Sequence, residues 1–210
     1  MEEVVRAFNY LIDKGLAFYW GTSMWGADEI AEAVCVAKSL GLIPPVCEQP
    51  VYNALERQKV EGEYQRICPR HGIGLTVWSP LKQGILTGKY NDAVSQPPAG
   101  SRLAEANDRF TVAQRANYGN ETWHADVAKV RKLQSVADKL GVKLSQLALA
   151  FCLKNENVST VIIGASRSAQ IEENVEALKV VPKLTDEIMG EIDGLLLNKP
   201  PVEQARFGGA

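Results

Sequence analysis

The residues best suited to bind a ligand stand near the C-terminal end of the chain, in VIIGASRSAQIEEN, residues 161–174. An apolar run is followed there by Gly164 and by small polar residues that open a helical pattern near Ser168. A helix N-terminus just beyond a strand presents unpaired backbone N–H groups and a positive dipole end to an anion, and Arg167 adds a charge. The stretch predicts an anion site, with simple helix capping by Ser166 and Ser168 as the alternative.

Other common catalytic or metal sites are not indicated. Paired carboxylates, G-x-S-x-G and H-E-x-x-H do not occur. His71 and His124 stand in no motif, and we assign both to surface or helix-end positions. The four cysteines form no CxxC pair and have apolar neighbours, which predicts buried, reduced thiols and neither a zinc site nor disulfides. They are Cys35, Cys47, Cys68 and Cys152.

Short apolar runs alternate with amphipathic segments, which predicts strands separated by helices. The long stretch 81–121, with several glycines and prolines, is interpreted as a functional loop. The predicted strands are LAFYW (16–20), PPVCEQ (44–49), GLTVWSP (74–80) and VSTVII (158–163). The predicted helices lie at 27–41, 55–72, 123–141, 144–155, 168–178 and 185–196.

Strands alternating with helices imply parallel pairing, either in an open doubly wound sheet or in part of a (β/α)₈ barrel. No G-x-G-x-x-G follows the first strand, which weakens the interpretation as a dinucleotide-binding, doubly wound sheet. Each predicted strand carries polar groups at its C-terminal end, where a barrel binds its ligands, so the pattern favours the second half of a barrel. These groups are Thr22 and Ser23, Glu48 and Gln49, Ser79, and Gly164 to Ser166.

Four motifs, in this order and spacing, resemble the aldo-keto reductase superfamily, and most of all the beta subunits of voltage-gated potassium channels. They are LAFYWGTS, PPVCEQPVYN, GLTVWSPLKQGILTGKY and VSTVIIGASRSAQIEENVEAL. The C-terminal LLLNKP also resembles those subunits. The resemblance implies an α/β fold, a (β/α)₈ TIM barrel of which residues 1–199 form strands 5 to 8 with their helices. Residues 200–210 are expected to be a loosely ordered tail.

The resemblance also implies that the cofactor is NADPH. Ser23 and Gln49 match positions that hydrogen-bond the nicotinamide carboxamide, and Trp78 matches the aromatic residue that stacks on its ring. Met24 departs from the family, which has Asn or Arg there. The implied pyrophosphate loop is Ser79, Pro80, Leu81, Lys82, Gln83 and Gly84, and the cations that close over the cofactor are Lys89 and Arg102. Ser166, Arg167 and Gln170, after the Gly164 turn, surround the 2′-phosphate, and Glu173 and Asn174 lie toward the adenine.

The family's catalytic Asp, Tyr and Lys, with a His or Asn, lie on the first four βα units, whereas this sequence resembles the family from the helix before the fifth strand. Carbonyl reduction needs a proton donor, which in the family is that Tyr. None of the six tyrosines here stands at the matching place. We therefore expect no catalytic residue in this chain, and no carbonyl reduction by this truncated chain alone.

The charge balance limits the possible partners. The chain has 23 basic and 25 acidic residues, a net charge of −2, which argues against nucleic-acid binding. No apolar run approaches the roughly 20 residues that span a bilayer, and the acidic start MEEVVRAFNY does not resemble a signal peptide. We expect a cytoplasmic protein that reaches the membrane periphery only through a channel partner.

Three functions remain open at this point. The first, favoured by the LAFYWGTS and EIDGLLLNKP stretches, is a regulatory subunit that docks as a homotetramer on the cytoplasmic domain of a potassium channel alpha subunit and senses NADPH. The second is an NADPH-dependent aldo-keto reductase of small aldehydes or ketones, of which this chain is the cofactor-binding half. The third is a fragment that binds neither.

Overall fold

The sheet of this protein lies at the centre of a computed structural model that describes residues 1–93 and 96–201. Four strands pair in the order β1-β2-β3-β4, and each pair is parallel. Parallel neighbours need crossover connections, and helices supply them here. The strands are β1 (Gly21–Thr22), β2 (Cys47–Glu48), β3 (Gly74–Val77) and β4 (Val158–Val161). The predicted α/β fold with parallel pairing is confirmed.

Nine helices are found in the described part of the chain. They are α1 (Glu2–Asp13), α2 (Ala27–Ser39), α3 (Ile67–His71), α4 (Arg102–Glu105), α5 (Arg109–Arg115), α6 (Glu121–Leu140), α7 (Leu144–Leu153), α8 (Ser168–Val175) and α9 (Asp186–Leu196). A π-helical turn covers Gln58–Glu63, and 3₁₀ turns cover Lys82–Thr87, Glu176–Lys179 and Val181–Lys183. None of these helices has both the length and the apolar character needed to cross a membrane.

Most of the helices lie close to the positions predicted from their repeating apolar residues. Helix α6 ends at Leu140 and is capped by Gly141, which adopts a left-handed φ of 65° that glycine tolerates without strain. Thr185 caps α9 by accepting a hydrogen bond from the backbone N–H of Ile188. The helix expected over 55–72 is instead interrupted, with a π-helical turn before α3. Residues 81–121 contain α4 and α5, so the expected loop carries helical structure of its own.

The predicted first strand at 16–20 is wrong. The strand lies just beyond it, at Gly21–Thr22, and the side chains of Leu16, Phe18 and Tyr19 are exposed. Trp20 is the buried member of the run, and its ring stacks on that of Phe8 in α1 at 4.5 Å. The apolar run at 16–20 therefore lies next to the strand, but its residues do not take part in strand pairing.

The core lies between the sheet and the helices α6, α7 and α9. Leu75 and Val77 of β3 are fully buried and belong to the same hydrophobic cluster as Val130, Ala150 and Leu196. The opposite face of the sheet carries small residues, because a Cβ on Gly21 would clash with Cys47, and a Cβ on Gly74 with the Ser159 hydroxyl. One face thus packs the core and the other stays open above the strands.

The cysteine prediction is half wrong. Cys68 and Cys152 are buried free thiols as expected, but Cys35 is exposed and Cys47 is only half-buried. Cys35 lies on the outer side of α2, whereas the neighbouring Val34 faces the core. Most of the tail predicted at 200–210, from residue 202 onward, lies outside the described residues.

Candidate functional site

Three of the predicted site residues directly follow three neighbouring strands. Ser23 follows β1, Gln49 follows β2 and Trp78 follows β3. The hydroxyl of Ser23 donates a hydrogen bond to the backbone carbonyl of Gln49 over 3.0 Å, and the Gln49 N–H donates to the carbonyl of Thr22 at 2.8 Å. The Trp78 N–H donates to the carbonyl of Pro50 at 3.0 Å. Parallel pairing therefore brings the three residues to the same end of the sheet.

An open cavity of about 320 Å³ lies on the small-residue face beneath these strand ends. The Gln49 side-chain amide reaches across it and donates to the Thr76 hydroxyl at 3.5 Å. The lining carries no charged side chain, and burial raises the pKa of its one thiol, Cys47, so the cavity suits a neutral polar ring with an amide substituent. The lining residues are Gly21, Thr22, Ser23, Cys47, Gln49 and Thr76.

Some of the cavity residues were missed by sequence reasoning. Cys47 and Thr76 lie two residues before Gln49 and Trp78, so the two-residue period of a strand puts each pair on one face. That period could have identified them. Phe110 was also missed: it lies edge-on to Trp78, with ring centroids 6.4 Å apart, and the sequence holds no local signal of that contact.

The loop after β3 has an unusual backbone. Ser79, Lys82 and Gln83 adopt left-handed φ values of 57°, 44° and 51°, which cost energy in residues other than glycine. The buried Asn53 holds this loop, because its side-chain amide donates to the Ser79 carbonyl at 3.1 Å. Gly84 follows with a φ of 94°, a conformation that only glycine adopts freely. The remaining predicted loop members are the buried Pro80 and the half-buried Leu81.

The ammonium of Lys82 is already neutralised. It lies 2.9 Å from Glu56 and 3.1 Å from Asp126, and its side chain is 17% exposed. Burial alone would lower the pKa of Lys82, but the two carboxylates outweigh burial and raise it. Lys82 therefore links the loop to α6, and its positive charge is balanced by carboxylates of the protein itself.

Lys89 and Arg167 form the cationic part of the site. Lys89 folds back over Gly84, since a Cβ on that glycine would lie 2.9 Å from the Lys89 Cε. Partial burial and the positive charge of Arg167 lower the pKa of Lys89. Neither cation forms an ion pair with any residue in 1–93 or 96–201. Two neighbouring cations without a carboxylate partner there favour an external anion.

The turn before α8 is organised by Gln170. Its side-chain oxygen accepts hydrogen bonds from the Ser166 N–H at 2.9 Å, the Ser166 hydroxyl at 3.2 Å and the Arg167 N–H at 3.3 Å. The capping alternative is thus partly correct, but the capping side chain is Gln170 and not Ser166 or Ser168. Gly164 and Ser166 are exposed at the end of the sheet.

Other predicted site residues have partners within the protein. Arg102 donates to the Thr111 hydroxyl at 3.2 Å and lies 3.8 Å from Asp108. The Glu173 carboxylate accepts hydrogen bonds from Lys143 at 2.5 Å and Ser145 at 3.1 Å. The Lys143 bond lowers the pKa of Glu173. The charges of Arg102 and Glu173 are therefore already paired within the protein. Asn174 is buried at the end of α8.

The two histidines do not follow the strands that carry the candidate site. His71 ends α3 just ahead of β3, at the amino end of the sheet, and His124 lies in the first turn of α6. Both positions agree with the helix-end assignment made from the sequence. Burial and the nearby Lys38 and Arg70 lower the pKa of His71, which favours its neutral form.

Comparison with known families identifies the family of this chain. The model of the aldo/keto reductase family matches residues 1–197. This chain belongs to the aldo/keto reductase family. The resemblance drawn from the strand motifs is thereby confirmed, and aldo/keto reductases generally bind NADH or NADPH. The residues present fit such a group: a neutral amide-lined cavity adjoins Trp78, and Lys89 with Arg167 supplies charge for a phosphate.

Two curated relatives of this aldo/keto reductase carry the same name. A "Probable voltage-gated potassium channel subunit beta" of Arabidopsis thaliana is 49% identical over 201 residues, and one of Oryza sativa subsp. japonica is 47% identical over 201 residues. Each alignment covers 95% of this chain and 58% of the relative. The chain thus spans somewhat more than half the length of these relatives.

Proposed function

We propose that this chain binds NADPH across the carboxyl ends of its four strands. The observation that carries the proposal is the hydrogen bond between Ser23 and Gln49 above an uncharged cavity. Both side chains follow neighbouring strands, so they reach a ligand from adjacent directions. The cavity offers amide and hydroxyl groups of the type that orient a carboxamide.

The proposed orientation follows the order of the strands. The nicotinamide ring would lie between Ser23, Gln49 and Trp78, and the pyrophosphate along residues 79–84. The 2′-phosphate would then meet Arg167 and Lys89 at the far side of the sheet, roughly three strand spacings, or about 14 Å, from β1. Backbone N–H groups at the start of α8 add a favourable dipole for the same phosphate. Bound NADPH would supply a hydride.

We further propose that the four strands form strands 5 to 8 of a (β/α)₈ barrel. Parallel order, crossover helices and an open face of small residues support this architecture. None of the tyrosines lines the cavity, as far as the structure describes the chain, so a proton donor for carbonyl reduction is not at hand there. The chain alone is therefore proposed to hold the cofactor without reducing carbonyls.

A regulatory role rests on the names of the two relatives. We propose a cytoplasmic, tetrameric subunit that binds the cytoplasmic domain of a voltage-gated potassium channel alpha subunit. Co-purification of the chain with that domain tests this role. Turnover of a small aldehyde with NADPH would instead support the reductase alternative.

Cofactor binding can be tested directly by fluorescence. Titration with NADPH should quench tryptophan emission saturably, and Gln49→Ala should weaken binding about tenfold through the loss of a polar contact. Gln134→Ala is the matched control, because Gln134 is an exposed glutamine on α6 whose partner is Asp138. Absence of saturation in the wild type, or equal affinities for the two variants, would overturn the proposal.

A further inference from the structure

Glu48 is a fully buried carboxylate, with 0% exposure, directly before the site residue Gln49. It points to the other face of the sheet, and it forms no ion pair with any described residue. A buried carboxylate without a cation is costly unless several hydrogen bonds satisfy it. Its presence beside the candidate site therefore needs a structural reason.

Three groups lie within hydrogen-bond distance of this carboxylate. The Thr22 hydroxyl donates to one oxygen, and the Met24 N–H at 2.5 Å and the Tyr64 hydroxyl at 3.2 Å approach the other. The single proton of the Tyr64 hydroxyl is shared between this carboxylate and the carbonyl of Trp25, whose oxygen lies 2.5 Å from the hydroxyl oxygen. Glu48 and its partner Tyr64 thus hold the backbone on both sides of the turn that follows β1.

That turn has a strained conformation. Met24 has a φ of 61°, in the left-handed region that disfavours residues other than glycine by about 1–2 kcal/mol. The Met24 N–H donates a hydrogen bond to Glu48, and the Met24 sulfur accepts one from the Val51 N–H at 3.3 Å. Lys59 adds a second donor to the Trp25 carbonyl, at 2.8 Å. The strain persists because the surrounding groups over-determine the turn.

We infer that Glu48 is a positioning residue: it fixes the left-handed turn at Met24 and thereby aims the Ser23 hydroxyl at Gln49. The inference deepens the proposed function, on which it rests for the identity of the ligand. The contact with Glu48 is made by the Met24 backbone N–H, so it does not depend on the side chain at this position. Ser23 and Gln49 form one half of the site, and Arg167 the other, so the effect of Glu48 is confined to the nicotinamide end.

The first test does not depend on the ligand. Glu48→Gln removes the negative charge, so the bond from the Met24 N–H is weakened, and the Thr22 hydroxyl must turn from donor to acceptor toward the new NH2 group. Amide hydrogen exchange at Met24 should become about tenfold faster, while exchange at Val130 in α6 stays unchanged. Glu32→Gln is the matched control, because that carboxylate is exposed on α2 and contributes no hydrogen bond to this turn. Unchanged exchange at Met24, or equal acceleration at Val130, overturns the inference.

The second test separates the two ends of the cofactor. Glu48→Gln should weaken NADPH about tenfold and leave the affinity for 2′,5′-ADP, which lacks the nicotinamide, within about twofold. Equal losses for both ligands would make Glu48 merely structural and overturn the inference. If the wild type binds neither ligand, the proposed function fails, and the exchange at Met24 still decides the positioning role.

A milder variant keeps the tests decisive if Glu48→Gln does not fold. Thr22→Val preserves shape and removes one donor to Glu48. We expect a smaller change in the same direction, about threefold in Met24 exchange and in NADPH affinity. No change in either quantity overturns the inference.

Discussion

Arg57 and Asp193 are 136 residues apart in the sequence and are joined by an ion pair of 2.7 Å. The Arg57 guanidinium also contacts Glu61 through two hydrogen bonds, of 2.8 and 2.6 Å, and lies 5.1 Å from the centre of the Phe151 ring. Its side chain is 2% exposed. The pair therefore fastens the last helix, α9, to the segment that follows β2.

Loss of the Asp193 carboxylate should destabilise the protein substantially. Asp193→Ala leaves a buried guanidinium with one partner fewer, and we expect the free energy of unfolding to fall by about 3 kcal/mol. Urea denaturation measures this. Lys199→Ala is the control, because its exposed ammonium also contacts Asp193 and should contribute less than about 1 kcal/mol. Equal losses for the two variants would contradict the role assigned to Arg57.

The same pair predicts a pH dependence. Partial burial alone would raise the pKa of Asp193, but hydrogen bonds from Lys199 and Arg57 outweigh it and lower the pKa. A lowered acid pKa adds stability above the unfolded value of about 3.9, and this stability disappears as the pH falls through the folded pKa. The stability difference between wild type and Asp193→Asn should therefore shrink below about pH 4. Urea curves at several pH values would show a constant difference if the pair did not titrate.

Gln170 distinguishes a phosphate site from a simple helix cap. Gln170→Glu keeps the oxygen that accepts from Ser166 and Arg167 but adds a negative charge. NADPH should then bind about tenfold more weakly through like-charge repulsion, with NADH changed by less than about threefold. Gln170→Ala should also weaken NADPH more than NADH. Equal losses for both cofactors, measured by the same titration, would remove the phosphate from this turn.

The cysteines should react with iodoacetamide in a fixed order. Cys35 is exposed and should react first, whereas burial raises the pKa of the Cys68 thiol to about 12 and also raises that of Cys152. Cys47 should react slowly, because burial and Glu48 raise its pKa. Since Cys47 lines the cavity, NADPH should protect it and leave Cys35 unaffected. Mass spectrometry of labelled peptides would contradict this if NADPH left the Cys47 rate unchanged.

Gly21 tests the close approach of β1 to β2. A methyl group there would lie 2.8 Å from the backbone carbonyl oxygen of Cys47, which cannot move without disturbing the strand. We expect Gly21→Ala to lower the free energy of unfolding by about 1–3 kcal/mol. Gly164→Ala is the control, since nothing lies within 4 Å of the added methyl group. Equal stabilities of the two variants would contradict the packing described here.

The elements that the sequence predicted best have long periodicity or caps. Helix α6 and helix α9 were found within a few residues, because burial of one helical face requires a repeating apolar pattern. The first strand was displaced, since the two residues that pair, Gly21 and Thr22, form too short a run to show any period. Strand pairing depends on hydrogen bonds to another segment, and the apolar run before it does not specify them.

The sequence by itself determined the family, the parallel pairing of the strands and the polar residues at the strand ends, because these follow from local patterns and from motifs of adjacent residues. Only the tertiary structure decided how their side chains are used. It committed Lys82 to Glu56 and Asp126, placed Phe110 against Trp78, and buried Glu48 beneath the turn at Met24. Each of these contacts joins residues that are distant in the chain, and their distances and burial are set by packing, which no local pattern encodes.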